Sequence, residues 1–236
     1  VWDPALLSLN IQRGGSSDQK KWAFDLLLDE INIAPWVQYY IDFTGAESPG
    51  RDVLTHILPQ GLLQDVHLRA TLQEGQFDNL YASAEVSDFA MLPYKFIPGV
   101  QNIQADFELN EGLGFVSLHS DALLLDYPAL MREKLSFDWF DAQINVQLLG
   151  DSVVMETGLI ALNNKDARTT TKVSMWFPRD TSVSPRIRAL STFRGLDASL
   201  TPKYLPAGIL QEGLITFLDG SVIGGDVLRG DILFNG

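Results

Sequence analysis

Apolar and polar residues alternate with a period of two along most of this 236-residue chain. Val66, Leu68, Ala70 and Leu72 alternate with His67, Arg69, Thr71 and Gln73. The same pattern runs through Leu80–Ser87, Ile103–Asn110 and Ala142–Leu148, and more loosely through Trp22–Leu28, Val173–Phe177 and Ile187–Phe193. Side chains of a strand point to opposite faces in turn, so each segment reads as a strand with one apolar and one polar side. Turn signals separate them: Arg13-Gly14-Gly15, Glu74-Gly75, Pro98-Gly99, Glu111-Gly112, Leu149-Gly150-Asp151, Asn163-Asn164 and Gly224-Gly225-Asp226. At least ten strands of roughly seven to ten residues are predicted, antiparallel where short turns join them. Three short stretches read as helices instead: Ala34–Phe43 with Pro35 in its first turn, Arg51–Leu58 and Gly208–Leu218. The expected fold is all-β, a long curved antiparallel sheet with a few short helices. The alternation by itself favours a closed sandwich or barrel, and the alternative is a single open sheet. A closed sandwich covers them with a second sheet, whereas one open sheet of ten or more strands must curl and present them as a trough.

A seven-residue word occurs twice. Leu58-Pro59-Gln60-Gly61-Leu62-Leu63-Gln64 returns as Leu205-Pro206-Ala207-Gly208-Ile209-Leu210-Gln211, 147 residues later. Internal repetition is the mark of stacked or elongated architectures. With no initiator Met at Val1 and a strand-like run at Ile232-Leu233-Phe234, the chain reads as a piece of a longer repetitive protein. The expected units are 1–60, strands plus short helices closing one repeat; 61–202, one β-groove unit; and 203–236, the start of the next.

Composition narrows the function. The 46% hydrophobic content can bury a core, which argues against disorder. Seventeen basic against thirty acidic residues give a net charge of −13. Nucleic-acid binding needs basic residues to displace phosphate counterions, so no nucleic-acid partner is expected. The same sign argues against lying flat on an anionic membrane. There is no Cys, which removes disulfides and thiol chemistry. No apolar run approaches the length of about 18 residues that spans a bilayer.

Candidate chemistry is thin. His56, His67 and His119 have no second His or any Cys at ligand spacing, so no metal and no cofactor are expected. Asp106 and Glu108 lie two apart on one strand face, about 6.6 Å. That is within the range of a glycosidase pair, yet such spacing is common on polar strand faces. Gly220-Ser221-Val222-Ile223-Gly224 does not match a nucleophile elbow, and Gly224-Gly225-Asp226 lacks the Lys and helix of a phosphate loop. Trp139 and Phe140 are adjacent on a strand, so one of them faces outward.

The stretch Lys203–Gln211, followed by Phe217-Leu218-Asp219-Gly220-Ser221-Val222-Ile223-Gly224-Gly225 and the strand Asp226–Phe234, resembles a repeated element of AsmA-like proteins of the YhdP branch. Phe217 stands where that element has Trp. The Pro98-Gly99 turn and the strand Ile103-Gln104-Ala105-Asp106 are also similar. The resemblance implies the periplasmic portion of an inner-membrane-anchored envelope protein of Gram-negative bacteria. It implies a repeating β-groove that carries phospholipids toward the outer membrane, with inner- and outer-membrane partners engaged through regions absent from this chain. Phospholipid acyl chains would lie against Val66, Leu68, Leu72, Leu80, Val86, Ile103, Phe107, Leu109, Ile144, Val146 and Leu148. No enzymatic activity is expected. The competing expectation is a closed β-sandwich module for envelope interaction or adhesion.

Overall fold

Every described strand belongs to one sheet. The computed structural model describes residues 6–14, 21–48, 50–73, 76–180 and 182–236. The predicted Glu74-Gly75 turn, and Gly15 of the predicted Arg13-Gly14-Gly15 turn, lie outside these. The strands are β1 (Leu7–Gly14), β2 (Lys21–Asn32), β3 (Gln60–Gln73), β4 (Gln76–Met91), β5 (Gly99–Asn110), β6 (Leu113–Ser120), β7 (Leu123–Asp126), β8 (Leu135–Phe137), β9 (Trp139–Leu148), β10 (Ser152–Thr157), β11 (Ile160–Asn163), β12 (Arg168–Pro178), β13 (Arg186–Asp197) and β14 (Asp226–Asn235). All pairings are antiparallel. Three of the apparent strand pairs are single strands with a break. β6 and β7 keep one register against β9 and β8, and β10 and β11 both lie between β9 and β12. The sheet is therefore an up-and-down meander of eleven strand positions in chain order, open between β1 and β14. The second sheet that a closed sandwich needs is absent among the described residues.

Turns fall on two rims. One rim carries tight hairpins. Glu111 and Gly112, both at positive φ (48° and 83°), join β5 to β6 as a two-residue turn whose twist suits the strands. The other rim carries the longer connections, including the helices α1 (Ile33–Phe43), α2 (Arg51–Ile57), α3 (Thr201–Tyr204) and α4 (Glu212–Ser221). The Asn32 side chain caps α1 by accepting from Ala34 N. The two helical inserts, 33–59 and 198–225, occupy the same rim. β2 and β13 end 165 residues apart, a longer spacing than the 147 of the repeated word.

A line of irregularities bends the strands. Asp65, Asp88 and Asn102 take left-handed backbone (φ 49°, 52° and 64°) at or beside register shifts in β3, β4 and β5. The line continues through the breaks at 121–122, 138 and 158–159. Asp and Asn tolerate this conformation better than other side-chain-bearing residues, and each bulge adds local twist and bend. An eleven-strand sheet creased in this way curls rather than staying flat.

The core is small and lies toward the helical rim. Ile103, Leu123, Leu135 and Phe137 are buried there, packed by Phe89, Val100, Met131, Phe140, Leu162 and Tyr204. The accessible surface is 15316 Å². A compact monomer of 26.2 kDa would expose about 10,600 Å². The excess is what a single uncovered sheet predicts. No described helix is long and apolar enough to cross a membrane.

Candidate functional site: the apolar face of the sheet

Cross-strand partners share a face, so the register sorts the side chains into two surfaces. One row runs Leu9, Leu26, Leu68, Ala82, Leu109, Gly114, Val146, Met155, Met175 and Ile187, each paired to the next. It crosses ten strand positions without a polar side chain. A neighbouring row runs Ala84, Phe107, Val116 and Ile144, and meets Thr157 on β10. The opposite surface reads Asn10, Asp25, Arg69, Tyr81 and Asn110 across the first five strands, and Glu85, Asp106, Ser117 and Gln143 across the middle.

All eleven residues expected to contact acyl chains fall on the apolar surface. Val66, Leu68, Leu72, Leu80, Val86, Phe107, Leu109, Ile144 and Val146 are half-buried there, and Leu148 is 43% exposed. Half-burial is what lateral neighbours alone provide. A second layer would bury these side chains fully. Ile103 differs: it is 5% exposed and sealed in the core beside the helical rim. Leu26, Met175 and Ile187, on the looser alternating segments, were not among the expected lining, and Val116 and Met155 showed no clean alternation; the register adds all five to the same surface.

Polar groups interrupt it toward the C-terminal strands: Thr171 and Ser191 are paired across β12 and β13 and share a hydrogen bond at 2.8 Å, and Thr157 meets Ile144 from β10. Thr157 is buried, and its hydroxyl accepts from Val173 N at 2.8 Å and reaches Val173 O at 3.3 Å. It satisfies the backbone where the break at Gly158-Leu159 interrupts the ladder.

The insert 198–225 closes the surface at its lower end. From β13 it reaches back beneath β12, β11 and β8 to the segment 127–134. Gly208 N donates to Leu130 O at 3.0 Å, and Arg132 pairs with Asp219 at 2.9 Å. Lys203 Nζ and Tyr204 Oη bond Asp166 at 2.6 and 2.8 Å, and Asn164 donates to Tyr204. These bonds hold the Asp166 carboxyl below its ordinary range, and the Lys203 bond to Asp166 raises the ammonium. Burial pushes Tyr204 up.

Other candidate groups stand elsewhere. Asp106 and Glu108 are exposed on the polar surface, opposite Glu85 and Ser83. His67 meets Asp25 at 3.0 Å, and His119 meets Asp121 at 3.2 Å. His56 stacks on Tyr94 at 4.1 Å, and Tyr94 donates to Asp52. Trp139 is the outward member of its pair at 38% exposure, while Phe140 packs on the core.

Compared with known families, the chain matches the family described as YhdP protein over residues 1–236. The chain belongs to the YhdP family. YhdP proteins form a lipid-transport family of the bacterial envelope and are not known for catalysis. Comparison with curated proteins and with solved structures returned no match. A large antiparallel sheet with one apolar face fits a lipid-transport family.

Proposed function

We propose that the apolar face is the lining of a groove along which phospholipids cross the periplasm between the inner and outer membranes. The observation that carries it is the ten-strand apolar row, left uncovered by any second layer. Each CH₂ moved from water onto such a surface gains about 0.8 kcal/mol. A row without a convergent polar group holds acyl chains in many similar weak positions, which suits passage better than one tight site. Headgroups stay in water at the open side, and Ile103 and its core neighbours form the closed end. On this function the chain is a periplasmic portion of an inner-membrane-anchored protein. Its units are 1–60, 61–202 and 203–236, and membrane partners bind other regions.

A photoreactive amino acid tests which face meets lipid. Placed at Val146 it should crosslink phospholipid in cells, and placed at Gln147, one residue on and facing the other way, it should not. Equal crosslinking at both positions, or none at Val146 in a folded chain, would remove the groove.

A further inference from the structure

The net charge of −13 conceals a sorted surface. Residues 1–122 hold 6 basic against 17 acidic residues, and 123–236 hold 11 against 13. Within 168–194 there are six basic residues and one acidic residue, Asp180. No basic run reveals them, because they are spread over neighbouring strands. The register then stacks them. Arg168, Arg194 and Arg229 stand directly beside one another across β12, β13 and β14. Lys172, Arg186 and Arg188 share the same polar face. All six are exposed. These strands also carry three carboxylates: Asp231, held by Thr192 at 2.6 Å and Arg229 at 3.4 Å, and the pair Asp197 and Asp226 where β13 ends and β14 begins.

Like charges directly opposite on neighbouring strands repel, and Asp231 beside three guanidinium groups relieves this only in part, so a further anion lying over the stack stabilises it. Strands are about 4.8 Å apart, so the three guanidinium groups span about 10 Å, and each can hold a phosphate by two parallel bonds. The face also carries apolar side chains that a dissolved anion would leave in water. Leu190 and Leu233 are paired and 48% and 69% exposed, and Arg186 lies 5.4 Å over the Trp176 ring. Basic groups interleaved with exposed Leu and an aromatic ring match the boundary between lipid phosphates and acyl chains.

We propose that the polar face of β12–β14 docks on an anionic phospholipid surface, apart from the groove and on the opposite side of the sheet. The test is co-sedimentation of this chain with vesicles of phosphatidylcholine alone and of phosphatidylcholine mixed with phosphatidylglycerol. The expected result is binding to the anionic vesicles only, weakening steeply with salt. The triple variant Arg168→Glu, Arg194→Glu, Arg229→Glu should bind about a hundredfold more weakly. The milder triple change to Gln should fall between, with circular dichroism unchanged in both. Leu190→Ser with Leu233→Ser should weaken vesicle binding, whereas Val146→Arg in the groove should leave it intact. The proposal is overturned by any of the following: equal binding to neutral vesicles, no loss in the arginine variants, or loss in Val146→Arg. Binding to duplex DNA as tight as to vesicles and indifferent to the leucine changes would mark a general polyanion surface and overturn it too.

Discussion

At the scale of single residues, a few side chains let the backbone depart from a regular ladder. The two glycines of the repeated word show it. A Cβ on Gly61 (φ 139°) would meet Ser87 O at 3.0 Å, and a Cβ on Gly208 would overlap the Ala129 carbonyl. The word is used twice for the same purpose, bare backbone against a neighbouring segment, yet in different shapes. The first copy opens strand β3 and the second is a 3₁₀ turn ahead of α4. Gly208→Ala should therefore detach the insert from 127–134 and destabilise the fold by about 2 kcal/mol or more, read by thermal unfolding. Thr157→Val keeps the shape but leaves Val173 N without a partner, which should cost about 1–2 kcal/mol in the same assay. Asp166 adds a pH dependence. Its carboxyl titrates lower in the folded chain than its ordinary value of 3.8. Its contribution is thus full above that value and lost as pH falls through the depressed one. Asp166→Asn should be less stable than wild type at neutral pH, and the gap should close at acid pH. A gap that persists unchanged there would show that the clasp contributes through packing, not charge.

At the scale of elements, what the sequence made legible depended on how differently the two faces are solvated. β3, β4, β5 and β9 alternate cleanly because one side is apolar and the other wet. β6 blurs, since Leu113 and Phe115 occupy the polar face. β10 blurs for the opposite reason, because Val153-Val154-Met155 is apolar on both sides. β7, β8 and β11, of three or four residues, are too short to show a period. α1 and α2 lie where predicted. The third predicted helix begins at Glu212 instead of Gly208, because Pro206 and the close contact of Gly208 hold 207–209 in a 3₁₀ turn and Leu210 is extended. The bulges at Asp65, Asp88 and Asn102 left no periodic trace, yet they crease the sheet. Asp88→Val with Asn102→Val forces β-branched residues into left-handed backbone and should destabilise by more than about 2 kcal/mol, while the double change to Gly should be tolerated. Equal stability of the two double variants in urea unfolding would argue against the crease being strained in this way.

At the scale of the whole molecule, the pattern alone pointed to a closed sandwich or barrel, and the structure is an open sheet instead. Alternating strands suit either, because both give each strand one dry and one wet side. Chain order along the meander and the open ends at β1 and β14 decide for the open sheet, and the surface area agrees. The expected acyl-chain contacts were legible only in part. Four strands supplied the expected contacts, three more alternated only loosely, and the register was needed to place them all on one face. The charge distribution was illegible altogether, since cross-strand neighbours are far apart in sequence. The openness of the apolar face is the central claim. Native mass spectrometry of the chain purified without detergent from a Gram-negative host measures it directly. Bound phospholipid is predicted in the wild-type chain and absent in Phe107→Asp and Val146→Arg variants that keep their circular dichroism. A folded wild-type chain that carries no lipid, or variants that retain it fully, would contradict the groove.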